Sequence, residues 1–313
     1  MRGIGRRVRV AGIDCGTNSI RLLIADAVDG GLVDVVREMR IVRLGEGVDR
    51  TGQLLPAALE RTRAALADYA AIITAHGAQR VRMIATSATR DAGNQDAFVA
   101  MVRDVLGVEP EVISGAEEAE LSFAGAAEGL PGVSGRLLVA DIGGGSTELV
   151  LGEVSIPHAL RSHSMDVGCV RMTERHLHDD PPTPDQIRAT VDDLRAAIAT
   201  AAAEVDITAP ATFVGLAGTV TTIAAIALGL DRYDAEAIHG SVLSAAQVRD
   251  VTARLLAMTH AERAALPVMH PGRVDVIGGG ALVLRTLLEA TGATEVIASE
   301  HDILDGIALG LLR

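Results

Sequence analysis

Residues 138–151 read LVADIGGGSTELVL. The apolar runs on either side of Asp141 to Glu148 have the composition of buried strands, yet three consecutive glycines stand between them. Glycine weakens a strand, so such a run marks a turn or a place where something approaches the backbone closely. The stretch therefore reads as strand, turn, strand. A second stretch, VAGIDCGTNSIRLLIAD at residues 10–26, has the same form. Both fit Asp-x-Gly-x-x-Ser-x-x-Leu, with Asp14 matching Asp141, Gly16 matching Gly143, Ser19 matching Ser146 and Leu22 matching Leu149. Two copies, each opening one half of the chain, point to a duplicated unit.

Polyphosphate binding suits this arrangement. A tight turn between strands exposes a cluster of backbone N–H groups that holds anionic oxygens. Gly16, Gly143, Gly144 and Gly145 let those oxygens come close with no Cβ in the way. Thr17, Asn18, Ser19, Ser146 and Thr147 add side-chain donors. Asp14 and Asp141, at the strand ends, suit Mg²⁺ or another divalent cation, held mostly through water. Two such turns facing each other would clamp a phosphate chain and its metal.

The bulk properties are consistent with this. The 313 residues allow two domains, each with its own core. Apolar residues make up 49% and aromatics 2%, without Trp, so the core must be Ala, Val, Leu and Ile. That composition suits helices laid on buried strands. The net charge of −13 argues against nucleic acid and anionic membranes as partners, though not against a polyanion bound in a local pocket. Cys15 and Cys169 are far apart and read as reduced thiols, and Cys15 as a small buried hydrophobe. The basic N-terminus reaches Asp14 before a secretory h-region forms, and no apolar run is long enough for a span. The expected location is cytoplasmic.

Along the chain, strands are expected at RVRVAGID, IRLLIADAV and LVDVVREMRIVRL, with a hairpin turn at Gly30-Gly31. A helix follows over 55–75, then strand RVRMIATSATR running into a loop at Ser87 to Arg90. Helix 96–106, strand PEVISG and a helix from Ala116 come next. The second half gives the strand–turn–strand unit, a long helix from the proline cluster at 181–184 to about Val205, and strand ATFVGLAGT. Further helices are expected at VTTIAAIAL, 243–258 and 261–266, then strand TEVIASE and the closing helix HDILDGIALGLLR. Alternation of strands and helices makes the class α/β. GLAGTVTTIAA (215–225) and VIGGGALVL (276–284) each read as a glycine turn before a helix whose N-terminal amides can meet anions. Close packing is the competing reading for both.

At this point the sequence resembles a known family. The paired phosphate loops and the GLAGT segment resemble the superfamily of actin, heat-shock chaperone ATPases and sugar kinases. Within it, IDCGTNSIRLLIAD, ATSATRDAGN, VISGAEEAELSF, ADIGGGSTELVLG, DVGCVRMTE and PGRVDVIGGGALVL resemble the exopolyphosphatase and guanosine pentaphosphate phosphatase family over nearly the whole chain. The resemblance implies two ribonuclease-H-like (actin-like ATPase) domains with an interdomain cleft. One is expected over 1–126 with the C-terminal helix 300–313, the other over 127–299. It implies Mg²⁺-assisted hydrolysis of a terminal phosphoanhydride. Carried over by motif, Asp14 to Ser19 and Asp141 to Thr147 form the phosphate loops. Glu148 matches an acidic residue near metal and phosphate, Arg90 in SATR a phosphate-binding arginine, and Glu118 in SGAEEAE the catalytic base. Arg90 is suited to grip phosphate bidentately. Glu118, near a helix start, is suited to orient or deprotonate water, although an acid there is also favoured by the helix dipole alone.

The chain departs from the family pattern at Glu120, where many relatives have Arg, and at Asp305 before Gly306. Both argue for short chains over long polyanions. His163, His176, His178, His239, His270 and His301 show no ligand spacing, and the His176/His178 segment reads as a solvated loop. The leading reading is an exopolyphosphatase acting on inorganic polyphosphate. The runner-up is a guanosine pentaphosphate (pppGpp) phosphohydrolase. A non-catalytic nucleotide-binding regulator and a sugar-kinase-like phosphotransferase are the further alternatives. The small-residue helices of the second half suit a homodimer.

Overall fold

The computed structural model describes residues 8–28, 31–130, 133–154, 156–208 and 212–312, with backbone only at 156–159. The chain divides into two compact units, residues 1–114 with 303–313, and residues 115–302.

The first unit opens with three antiparallel strands, β1 Arg9–Cys15, β2 Ser19–Val28 and β3 Gly31–Ile41. The turn expected at Gly30-Gly31 involves a residue outside the described ones, and β2 and β3 pair down to Val28 and Gly31. Then come α1 Val48–Thr51, α2 Pro56–His76, β4 Arg80–Ala85, α3 Ser87–Asp91, α4 Gln95–Leu106 and β5 Glu111–Val112. The sheet order is β3-β2-β1-β4-β5, with β4 and β5 parallel to β1. Strand periodicity sends Ile13, Ile20, Leu22 and Ile24 to one face, where they pack with Leu66, Tyr69, Phe98 and Val102 from α2 and α4. Tyr69 anchors the contact by donating from its hydroxyl to the Ile20 carbonyl at 3.0 Å.

The second unit repeats the plan. It runs α5 Gly115–Gly129, β6 Arg136–Ile142, β7 Thr147–Glu153, β8 Ile156–Met165, α6 Cys169–His176, α7 Pro184–Ala202, β9 Thr212–Leu216 and α8 Ala217–Ala227. It continues α9 Ala235–Ile238, β10 Val242–Ser244, α10 Ala245–Ala257, α11 His260–Ala264, a 3₁₀ turn Pro271–Arg273, α12 Ile277–Thr291 and β11 Glu295–Ala298. Read from β8, the sheet order is β8-β7-β6-β9-β11-β10. Three antiparallel strands followed by two parallel ones thus recur in both units, with β10 added antiparallel at the far edge. Leu138, Ala140, Ile142, Leu149 and Leu151 face a core shared with α7, α8, α10 and α12. Leu137, Val139 and Val150 face the opposite way, against Ala119, Phe123 and Ala126 of α5. This is why α5 belongs with the second sheet.

The last helix, α13 Ile303–Gly310, returns to the first unit. Gly12 on β1 leaves room for it, since a Cβ there would lie 3.1 Å from Ile307 Cγ2. Asp305, one of the departures noted above, is buried on α13 and takes Arg37 of β3 at 2.5 Å and 3.3 Å. Its position makes it an anchor of the C-terminal helix. Among the described residues no helix is long and apolar enough to cross a membrane.

Four local expectations change. Ser87 to Arg90, read as a loop, forms α3. VIGGGALVL is not a glycine turn before a helix, because Gly278, Gly279 and Gly280 lie buried inside the first turn of α12. A Cβ on Gly279 would meet the Cys169 carbonyl at 2.7 Å, and one on Gly280 the Thr219 hydroxyl at 2.5 Å. These glycines bring α12 against α6 and α8, and close packing is their reason. GLAGT likewise enters its helix directly at Ala217, which adopts a left-handed φ of 65°. Finally, β8 and α6 had no expected counterpart, because a proline-containing strand is legible only from its place at the sheet edge.

Removing the Asp305 carboxylate takes two hydrogen bonds from Arg37, which keeps Asp34 as a partner at 2.7 Å. Asp305→Ala is expected to lower unfolding free energy by about 2 kcal/mol, measured by urea denaturation at pH 7.

Candidate active site

Each unit carries one hairpin with the Asp-x-Gly-x-x-Ser pattern, and the two turns are closed alike. Gly16 N–H donates to the Ser19 carbonyl and Gly143 N–H to the Ser146 carbonyl, both at 3.0 Å. None of Gly16, Gly143, Gly144 and Gly145 has a positive φ, so the left-handed conformation is not what requires glycine here.

What the loops do is decided by what holds their carbonyls. In the second unit the start of α6 does so. Cys169 N–H donates to Gly143 O at 2.9 Å, Val170 and Arg171 N–H to Gly144 O at 2.8 and 3.1 Å, and Arg171 Nε to Gly145 O at 2.7 Å. In a trans peptide the N–H points opposite to the carbonyl. The amides of Gly144, Gly145 and Ser146 are therefore turned away from α6, as three consecutive donors. Gly168 allows this approach, since a Cβ there would lie 2.4 Å from Gly144 O. In the first unit the segment after β3 plays the same part. Gly45 N–H donates to Thr17 O at 2.8 Å, and Val42 and Arg43 N–H to Asn18 O at 3.1 and 2.9 Å. The amides of Asn18 and Ser19 are turned away accordingly. Such runs of aligned donors make anion-binding concavities.

The side chains divide between the units. In the first, Thr17 is buried and its hydroxyl shares a hydrogen bond of 2.9 Å with Ser87 at the start of α3. Arg90 lies in the last turn of α3 and donates from Nη1 to the Ile113 carbonyl at 3.0 Å. In the second, Thr147 donates to Val167 O at 2.6 Å, which locks the turn onto the segment after β8. Glu118 is buried in the first turn of α5, whereas Glu117 is half-buried and Glu120 exposed. His176 closes α6 and pairs with Asp193 at 2.8 Å, a structural contact, while His178 lies exposed in the loop expected there.

The hairpins differ in charge at one matched position. Asp14 pairs in register with Arg21, and Asp141 with Glu148. Arg21 donates Nε and Nη2 to Asp14 Oδ2 at 3.0 and 2.7 Å. The first aspartate thus receives a guanidinium from its own hairpin. The second faces another carboxylate, and like charges directly across a strand pair are destabilising. Strand alternation puts Asp141 and Glu148 on the α5 face of the sheet, where Glu118 also is. Burial, with the charges of Glu118 and Asp141 next in order, raises Glu148 well above the usual glutamate value, against donors from Ser164 and Ser146. Arg21 was missed in reading the sequence, although overlaying the hairpins sets it opposite Glu148.

A divalent cation fits this second hairpin. Among the described residues no three acidic, His or Cys side chains converge as a ready metal cage. Mg²⁺ needs none, because it keeps several waters and takes one or two carboxylates beside substrate phosphates. Two buried carboxylates set across one strand pair match that demand.

The sign of the Glu148 shift gives a test. Above the unfolded value near 4.5 the native chain holds this proton and the unfolded chain does not. Stability contributed by the site is full below that value and is lost as pH rises toward the native one, by about 1.4 kcal/mol per pH unit crossed. In chelator, Glu148→Gln is expected to melt higher than the parent at pH 8, with the gap closing toward pH 4. Thermal unfolding followed by circular dichroism reads both.

The chain is similar to known proteins over nearly its whole length. A model of the Ppx/GppA phosphatase family matches residues 23–313. Exopolyphosphatase 2 of Mycobacterium tuberculosis is 54% identical, over 97% of this chain and 98% of its own. A guanosine-5'-triphosphate,3'-diphosphate pyrophosphatase of Photobacterium profundum is 35% identical over 71% of this chain and 44% of its own. Among solved structures, an exopolyphosphatase-like protein is 44% identical at a TM-score of 0.93, covering 97% of this chain and 98% of its own. The Ppx/GppA family member of Aquifex aeolicus is 31% identical at a TM-score of 0.82, covering 98% of both chains.

Proposed function

The chain belongs to the Ppx/GppA phosphatase family, and from that premise we propose that it is an exopolyphosphatase, a hydrolase that releases orthophosphate from the end of inorganic polyphosphate. The observation that carries the reading is that in each of the two turns the carbonyls are held from behind and the amides are turned away from that support. Such donors suit a chain of phosphate oxygens and need no base or sugar to recognise.

The residues take the following roles. The amides of Asn18 and Ser19, and of Gly144 to Ser146, bind phosphate oxygens, with the Thr17, Ser146 and Thr147 segments shaping each loop. Asp141 and Glu148 hold the divalent cation. When bound, that cation neutralises charge on the phosphate oxygens and relieves the repulsion between the two carboxylates. Asp14, expected as a metal ligand, has its charge met by Arg21 and orders the first loop. Arg90 binds phosphate and stabilises the charge that develops as the bond breaks.

Glu118 orients a water and accepts its proton as the water oxygen bonds to the terminal phosphorus. The bond from that phosphorus to the bridging oxygen breaks, and the shortened chain leaves with the electron pair. Phosphoryl transfer of this kind depends on positioning and charge neutralisation more than on covalent chemistry by the protein. Glu118 is buried and its charge acts on Glu148, which puts it beside the hairpin carboxylates.

Guanosine pentaphosphate is the second reading, favoured by the relatives named for its hydrolysis. The exposed Glu120 on α5 and the net charge of −13 favour short polyphosphate over long.

Purified protein with Mg²⁺ is expected to release phosphate from polyphosphate. Glu118→Ala is expected to lower kcat by about 10²-fold or more with the fold intact, and undiminished turnover would remove Glu118 from the mechanism. Parallel phosphate-release assays on short polyphosphate, long polyphosphate, pppGpp and ATP rank the substrates, with short polyphosphate expected first.

A further inference from the structure

The two carboxylates of the second hairpin are each held by a hydroxyl to which the roles above give no part. Ser122 is fully buried and donates from Oγ to Asp141 Oδ2 at 2.6 Å. Ser164, on β8, donates from Oγ to Glu148 Oε1 at 2.7 Å. Both lengths are those of ordinary O–H···O hydrogen bonds.

Their places in the fold relate them to Glu118. Ser122 follows Glu118 by one turn on α5, so the two side chains leave the same face of the helix. Ser164 packs against the first residue of α5, since a Cβ on Gly115 would lie 2.4 Å from Ser164 Cβ. The helix that carries Glu118 is thus fastened to the hairpin at two points. One lies before Glu118, through Gly115 and Ser164 to Glu148. The other lies after it, through Ser122 to Asp141.

We propose that Ser122 and Ser164 are positioning residues for the metal site, each fixing one oxygen of a metal-binding carboxylate and together setting where α5 places Glu118. This rests on the reading above that Asp141 and Glu148 hold the cation. Hydrogen bonds of this kind to metal-binding groups commonly change affinity by about 10- to 100-fold when removed. A hydroxyl present only to satisfy a buried carboxylate would change stability and leave the metal affinity of the folded protein as it was.

The test uses the full chain without substrate and Mn²⁺ as the probe, with free Mn²⁺ followed by electron paramagnetic resonance. Ser122→Ala and Ser164→Ala, folded by circular dichroism, are expected to bind Mn²⁺ about tenfold or more weakly, and Asp141→Asn to lose binding. At saturating metal, kcat for polyphosphate should fall while KM stays within about twofold, because phosphate contacts are untouched. Parental Mn²⁺ affinity in the serine variants, with binding lost in Asp141→Asn, overturns this inference alone. Parental affinity in Asp141→Asn overturns the metal reading and the inference with it. Should Ser122→Ala fail to fold, Ser164→Ala at its half-buried position decides by the same measurement.

Discussion

The second hairpin sets two buried carboxylates directly across from each other, and much of the second unit is arranged around that pair. Left to itself the pair is unfavourable, because neither charge can be shared with solvent and each raises the cost of the other. Hydroxyls from α5 and β8 moderate the cost by donating to one carboxylate each. Glu148 holds its proton well above the ordinary range as a further response. Local instability of this sort is a common property of sites built to receive a ligand of opposite charge.

The first hairpin shows the alternative solution on the same backbone. It has the same turn hydrogen bond, the same strand register and carbonyls buttressed at two matched positions, Thr17 with Gly144 and Asn18 with Gly145. Arg21 stands where Glu148 stands in the other copy, and it pairs with Asp14. One copy therefore carries its own cation, and the other is left suited to a cation from solution. A duplicated fold has become asymmetric through one matched position. The helices that cover the two hairpins, α13 and α5, diverge in the same sense, with Ile307 over Gly12 in one and Glu118 and Ser122 near Asp141 in the other.

Where reading the residues fell short, the cause was interaction between segments far apart in the chain. SATR has too few residues to show helical periodicity, and α3 is recognisable from its packing after β4. The glycines at 278–280 have the composition of a turn. They are helical because α6 and α8 come close enough that any side chain would collide. Intrinsic propensity argues against glycine in a helix by about 1 kcal/mol each, and burial overrides it. Asp305, a departure from the family pattern, is a buried partner of Arg37 on a distant strand.

Resemblance to a known family supplied Glu148, Glu118 and Arg90 as expectations, and the sequence by itself determined the duplicated hairpins, the α/β class, and Asp14 and Asp141 as candidate metal carboxylates. Those are local matters, written in strand alternation, glycine placement and a motif repeated at matching positions. Tertiary structure alone decided which way the loop amides turn. That depends on the carbonyls being taken by Cys169 to Arg171 in one unit and by Val42 to Gly45 in the other. It also decided that Asp14 meets a guanidinium and Asp141 a carboxylate. A hydrogen bond or ion pair across strands has no sequence signature until register fixes which residues stand opposite.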